Sequence, residues 1–203
     1  MLETTSPACP MDKEPRVTQL AEKGATDATG QVEPSPEEFQ ARIRPFADYH
    51  EFRSWMEQLV SLYIRAYEGM EQYAYRGRRK IYKYIYWLYR GDPELFLVAW
   101  SPEGRPVGFI SAHRHWQDPD LGEVGNIHEM IVDPAFHGRG IGRRLFRTVL
   151  ERLCQEHARV MLWVGAENRR AREMYERQGF REVVQYDEWV KMVKDCSSGS
   201  GSS

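Results

Sequence analysis

No apolar run in this 203-residue chain approaches the roughly 20 residues that a helix needs to cross a bilayer, so no membrane-spanning helix is expected. The N-terminus also lacks the basic-then-apolar order of a signal peptide, and the expectation is a cytoplasmic protein with no membrane partner. Cysteine is scarce. Cys9, Cys154 and Cys196 make an odd number without CxxC spacing, and two of them lie in stretches that read as tails, so neither a disulfide framework nor a metal site is expected. Neither sign of charge dominates: 28 Lys and Arg against 30 Asp and Glu leave a net charge of −2, which provides no global basic field for nucleic acid. Any anion site must therefore be local.

What is present suits one domain. A hydrophobic content of 41% over 203 residues supports one sizeable core. Residues 1–36 are rich in Pro, Thr, Glu, Gly and Ala and show no apolar period, so they read as a flexible tail. Residues 195–203, almost all Ser and Gly, read as a second one. The folded unit is thus expected over 37–194. Within it Ala41 to Phe46 suits a strand, and Phe52, Trp55, Met56, Leu59 and Tyr63 recur at helical spacing. A second helix is expected from Gln72 to Tyr89, stopped by Gly91, Asp92 and Pro93. Leu95 to Trp100 and Val107 to Trp116 form a hairpin around a Pro and Gly turn, followed by a strand from Val124 to Val132. A helix from Gly140 to His157, a strand from Val160 to Val164, a helix from Asn168 to Gln178 and a strand pair from Phe180 to Val193 complete a mixed α/β order.

The most informative segment runs from Val132 to Gly142, VDPAFHGRGIG, between a strand and a helix. Glycines at 138, 140 and 142 let backbone amides approach a ligand closely, and the helix start adds a positive dipole end. Arg139, Arg143, Arg144 and Arg147 add charge. The loop fits neither GxGxxG nor GxxxxGK[ST], which argues against the common nucleotide-binding types. Taken alone, the glycines are better explained by close packing at a helix start, with the arginines on a solvated face.

The loop with its flanks, Ile131-Val-Asp-Pro134 and His137-Gly-Arg-Gly-Ile-Gly142, resembles motif A of the GCN5-related N-acetyltransferases (GNATs), with His137 where Gln or Arg is usual. Downstream, Asn168, Ala171, Tyr175, Glu176, Gly179 and Phe180 resemble that family's motif B, in the same order. Read alone these are an N-cap, core positions and a helix C-cap. The resemblance spans about Ala41 to Met192. It implies a central mixed, mostly antiparallel sheet splayed between the fourth and fifth strands and flanked by helices, with acetyl-CoA as co-substrate.

By the same resemblance, Met130, Ile131 and Val132 offer main-chain groups to the pantetheine arm, His137, Gly138, Arg139, Gly140, Ile141, Gly142 and Arg143 hold the pyrophosphate, and Asn168 and Tyr175 adjoin the acyl end. Tyr175 matches the residue that returns a proton to the departing sulfur, its alternative being a packed aromatic. Glu129, placed by alternation on one strand face with Ile127 and Ile131, matches an acidic position that acts as base, its alternative being a strand carboxylate paired with an arginine. Trp163 occupies the place where ribosomal-protein acetyltransferases carry a glutamate. His113 and His115 lack a third ligand and are not a metal site. The aromatic stretch from Tyr73 to Tyr89 is expected to wall an acceptor cleft. The implied activity is transfer of an acetyl group to a primary amine of a small molecule or protein, by a monomer or homodimer. The competing reading is a non-catalytic acyl-CoA-binding sensor.

Overall fold

The computed structural model describes residues 41–196; both expected tails, apart from Asp195 and Cys196, lie outside the described residues. Strands β1 (Arg42–Pro45), β2 (Phe96–Trp100), β3 (Pro106–Asp118), β4 (Gly122–Val132), β5 (Arg159–Gly165), β6 (Arg181–Tyr186) and β7 (Trp189–Asp195) make one sheet in the order β1-β2-β3-β4-β5-β7-β6. Every neighbouring pair is antiparallel except β4 with β5. Helices α1 (Tyr49–Ser54), α2 (Met56–Ala66) and α3 (Arg78–Gly91) cover one face, and α4 (Ile141–Glu156) with α5 (Arg169–Arg177) covers the other.

The sequence shows why two faces are needed. Strand β2 reads FLVAW and is buried throughout. Leu97 and Ala99 join Leu145, Phe146 and Val149 of α4, while Phe96, Val98 and Trp100 join Phe52, Leu59 and Ile85 of α1, α2 and α3. Such a strand can be dry only between two helical layers. Phe52 and Tyr89 stack with ring centroids 3.8 Å apart and pin α1 to α3.

Helix ends follow local chemistry. Asp48 caps α1 by accepting from the Glu51 N–H at 2.8 Å, and Asn168 caps α5 by accepting from the Ala171 N–H at 3.2 Å. At the other end of α5, Gly179 at φ 87° lets its N–H reach the Glu176 carbonyl and the Phe180 N–H reach that of Tyr175, a Schellman cap. Two expected helices are broken. Trp55, at φ −99° and ψ 0°, divides the first into α1 and α2. The second is interrupted at Gly77 (φ 87°), so Glu71–Tyr73 forms a separate turn and α3 begins at Arg78.

A β-bulge corrects the expected alternation of β4. Ser111 faces Glu129 and the next residue, Ala112, faces Ile127, which leaves His128 as the extra residue. Ile127 accordingly packs on the α4 side, while Ile131 packs on the α2 and α3 side. His128 and Glu129, although consecutive, both meet aromatic residues of the α2 and α3 layer. Glu129 therefore shares a face with Ile131 but not with Ile127.

The cysteine expectation is also corrected. Pairing of Arg159 with Asp195 carries β7 to its end, and the Cys196 N–H donates to the Ala158 carbonyl at 2.8 Å. Cys196 thus lies at the C-terminal end of α4, where it is disulfide-bonded to Cys154. The folded unit includes Asp195 and Cys196, two residues that composition had assigned to the tail. Closing a loop with a sequence separation of 42 is worth roughly 4 kcal/mol in the chain-entropy account. Cys154→Ala, or the reduced protein, should lose about 2–4 kcal/mol and melt roughly 5–15 °C lower, as read by calorimetry with and without reductant. An unchanged melting temperature would show that the bond adds nothing.

Candidate active site

Strands β4 and β5 are paired only from Gly125 with Val160 to Ile127 with Leu162. Past that point β4 runs on to Val132 alongside β3, and β5 runs on to Gly165 alongside β7, without pairing to each other. The sheet opens there as a V. One side of the opening is continuous with a cavity of about 190 Å³, into which Glu129, Tyr175, Asn168 and Met130 all face, beneath aromatic walls from α2, α3, β5 and β7. At the end of β5, a side chain on Gly165 would strike the Tyr73 ring at 2.6 Å, so only glycine admits that wall.

The glycine loop follows β4 directly. Asp133 caps the turn Pro134–Phe136 by accepting from the Ala135 N–H at 3.1 Å, and the His137 ring nitrogen Nε2 bonds the Val132 carbonyl at 3.1 Å, closing the loop on its own strand. Gly138 (φ 78°) and Gly140 (φ 73°) are left-handed, with no atom within 4 Å of where a Cβ would stand. Gly140 is the N-cap of α4, and no side chain caps the amides behind it. An open glycine surface in front of an uncapped sixteen-residue helix fits a diphosphate.

The residues expected at the site fall into distinct roles. Gly138, Gly140 and Gly142 line the loop, exposed Arg139 and Arg143 flank it, and Arg139 also lies over the Phe136 ring at 5.4 Å. Ile141 is 1% exposed, so its side chain belongs to the core and only its backbone adjoins the loop. Ile131 is likewise turned into the α2 and α3 layer, while Met130 and Val132 are half-buried beside α4. Tyr175 packs against Phe146 with ring centroids 5.0 Å apart and is 8% exposed. Of the expected aromatic wall, Tyr73, Tyr75, Tyr84 and Trp87 reach the cavity, whereas Tyr89 is core. Tyr67, Trp116, Trp189, Asn126 and His128 were not foreseen there. Tyr67 lies one helical turn beyond Tyr63 on the same apolar stripe, a signal for the wall that the sequence does contain.

Electrostatically the site centres on Glu129. Its carboxylate accepts from the Tyr67 hydroxyl at 2.9 Å and the Met130 N–H at 3.2 Å, with Tyr84 a third donor. Burial outweighs these bonds and raises its pKa from 4.5 to about 7. Tyr67, Tyr84 and Tyr175 are all raised above the usual tyrosine value, first by burial and then by the negative charge of Glu129. The folded protein therefore binds more protons than the unfolded chain between about pH 4.5 and pH 7. Stability from this site is present below that window and is lost as pH rises through 7, by roughly 3 kcal/mol. Glu129→Gln keeps an acceptor for Tyr67 and cannot ionise, so its melting temperature relative to wild type should climb several degrees between about pH 5 and about pH 8.5. A constant difference across that range would mean an ordinary carboxylate.

Comparison with known proteins bears on the fold and the family. The chain is 38% identical over 141 residues to the uncharacterised N-acetyltransferase MJ1207 of Methanocaldococcus jannaschii, covering 68% of this chain and 62% of that protein. It thus spans less than two thirds of that relative, and only 29% of the mycothiol acetyltransferase of Salinispora tropica, which is 36% identical over 95 residues. The crystal structure of PH1933 from Pyrococcus horikoshii superposes with a TM-score of 0.70 at 34% identity, over 77% of this chain and 98% of that one. PaiA N-acetyltransferase from Thermoplasma acidophilum, solved in complex with coenzyme A, shares the fold at 16% identity with a TM-score of 0.61, over 77% and 98% of the two chains. The profile described as "Acetyltransferase (GNAT) family" matches residues 56–180, and with the splayed sheet and glycine loop in place the chain belongs to that family.

Proposed function

We propose that the protein transfers an acetyl group from acetyl-CoA to a primary amine, of a small molecule or a protein, in the cytoplasm, with the folded unit from about residue 37 as the catalytic body. One observation carries the reading: a buried carboxyl with a pKa of about 7 and a buried tyrosine face one cavity at the parting of β4 and β5. A sensor needs neither. Coenzyme A in the PaiA complex supports the choice of acyl donor.

Acetyl-CoA supplies the acyl thioester, and the residues supply proton chemistry and shape. Gly138 to Arg143 and the start of α4 hold the diphosphate. An ammonium has no lone pair, so the acceptor must lose a proton before nitrogen bonds the carbonyl carbon and the carbon–sulfur bond breaks. Glu129, about half ionised at pH 7, is matched to accept that proton. The sulfur departs with the bonding pair. Tyr175 is raised above 10 while a thiol of this kind titrates near 8.5, so full proton transfer from tyrosine to thiolate is uphill by at least about 2 kcal/mol. A hydrogen bond from the Tyr175 hydroxyl, with the proton delivered later, is the form of assistance this difference allows. Burial is the main reason Tyr175 is raised, and the Glu129 charge adds to it; uptake of a proton by Glu129 removes that second contribution, which makes the tyrosine a somewhat better donor just when sulfur leaves.

Three variants test the assignment. Gly140→Asp puts a carboxylate in the diphosphate position on a strained backbone and should abolish acetyl-CoA binding in calorimetry; unchanged affinity would remove the loop from the site. Glu129→Gln should lower kcat/KM by about 10²–10⁴ above pH 7 and eliminate the acid limb of the wild-type pH profile. Tyr175→Phe keeps the ring against Phe146 and should lower kcat by roughly tenfold to a hundredfold with little change in KM. An unchanged kcat would return Tyr175 to packing alone.

A further inference from the structure

The cavity at the opening of the sheet is walled by rings rather than by charge. Tyr75, Tyr84, Trp87 and Trp116 form one continuous run, with successive ring centroids 4.7, 6.1 and 6.3 Å apart, and all four line the cavity while only half-buried. Trp163, also half-buried, joins them from β5. The apolar lining continues to the surface. Met70, which lines the cavity, is 36% exposed, and Tyr186, 53% exposed, has its ring centroid 6.1 Å from that of Trp163. Large exposed apolar side chains that adjoin an aromatic cavity mark a place where an apolar body binds.

Among the described residues, Glu129 is the sole carboxyl lining the cavity, and no lysine or arginine lines it. Lys191, whose ammonium lies 5.4 Å from the Trp163 ring centroid, is buried against Asp118 and Asp120 at 2.9–3.2 Å, so its charge is already paired. Burial and the neighbouring His113 hold the His128 pKa well below its usual value, and that ring stays neutral. A carboxylate or phosphate brought into the cavity would therefore meet a like charge and no cation. The Tyr67 and Tyr84 hydroxyls do not help it, because both are directed at Glu129. An ammonium meets the opposite surroundings: one carboxylate, and the faces of tyrosine and tryptophan rings, which attract a cation.

We infer that the acceptor is a primary amine borne on an uncharged apolar body, with no carboxylate or phosphate near its nitrogen, and that the rings from Tyr75 to Trp116 seat that body while Glu129 receives the nitrogen. An apolar cavity of about 150 Å³ takes up benzene, so the 190 Å³ here matches one ring or branched chain on a short arm. A free α-amino acid carries its carboxylate on the carbon next to nitrogen and would set it beside Glu129. A simple amine has no such group, and in the first residue of a peptide that carboxyl is a neutral amide. The inference rests on the acyl-transfer reading for turnover and not for binding.

Free amines and chain N-termini share this chemistry, and four ligands separate them: 2-phenylethylamine, phenylalanyl-glycinamide, phenylalanine, which adds the carboxylate, and ethanolamine, which lacks the apolar body. Calorimetry on the full chain, with and without coenzyme A, at about pH 8 where Glu129 is ionised, reads binding without turnover. The better of the first two should bind at least about tenfold more tightly than phenylalanine and than ethanolamine, and which of them is better identifies the source. A smaller ratio against either control, or no binding, overturns the inference. Met70→Arg, at an exposed position, supplies the missing cation and should narrow the deficit of phenylalanine by about fivefold; a deficit that stays the same means that charge does not set the selection, and overturns it too. Release of thiol from acetyl-CoA separates this failure from that of the wider reading. If an apolar amine binds with the stated preference and no thiol is released, acyl transfer falls and the binding inference stands. Release with equal kcat/KM for all four ligands keeps acyl transfer and sinks the inference.

Discussion

The parting of β4 from β5 after Ile127 and Leu162 is the constraint on which the rest of this structure depends. A parallel pair three residues long exchanges few backbone hydrogen bonds, yet the strands beyond it keep their outer partners, β3 and β7, and so lose only one edge each. Those two free edges face one another across a space that a backbone-like arm can enter. The bulge at His128 belongs to the same event. It ends the β4 and β5 register and turns two consecutive side chains toward the aromatic layer, so the opening acquires an acid and an imidazole where regular alternation would have supplied one polar group and one core residue.

Burying that acid is costly, and the surroundings show how the cost is limited. Three donors address the Glu129 carboxylate, two of them tyrosines, so the charged form is solvated by phenols rather than by water. Phenols are a fitting choice. A lysine or arginine in the same place would pull the pKa down and leave a weak base, whereas neutral donors leave burial in command and the group near neutrality. The tyrosines also form the walls, with Tyr63 and Tyr67 at a centroid distance of 4.7 Å and Tyr75 and Tyr84 at the same spacing. Wall and electrostatic environment are built from the same residues, which accounts for a stretch so rich in tyrosine running from α2 through the connection into α3.

Legibility in the sequence followed how local each signal is. The glycine loop, the Asn168 cap, the Gly179 C-cap and the strand order announce themselves within a few residues, because caps and turns are satisfied by neighbours in the chain. The bulge does not. Nothing in Ile127-His-Glu-Met130 says that one residue will be left without a partner, since that depends on the register with β3, and the face assigned to Ile127 was wrong for this reason. The disulfide was missed because Cys196 follows the last apolar alternation and precedes a Ser and Gly run, while its pairing with Cys154 depends on β7 running to Asp195 beside β5. Tyr67 and Asn126 reach the site only through the packing of α2 and the direction of β4, so periodicity could mark them as buried but not as lining a cavity.

One ion pair shows how the aromatic wall and the glycine loop are kept in register. Arg65, on α2 one turn from the residues that contact the cavity, donates to the Asp133 carboxylate at 2.6 and 3.0 Å. Asp133 is 9% exposed; it also caps the turn that starts the loop, and its backbone N–H donates to the Val107 backbone carbonyl of β3 at 2.8 Å. With half of the arginine side chain in solvent, the pair adds little to stability. Its contribution is geometric: the helix bearing Tyr63 and Tyr67 is tied through one carboxylate to the end of β4, the start of the loop and the neighbouring strand. A shift of α2 would thus be felt at the glycine loop proposed to hold the diphosphate as well as at Glu129. The two halves of the proposed reaction, donor binding and amine deprotonation, would be positioned by elements far apart in sequence that meet at a single aspartate.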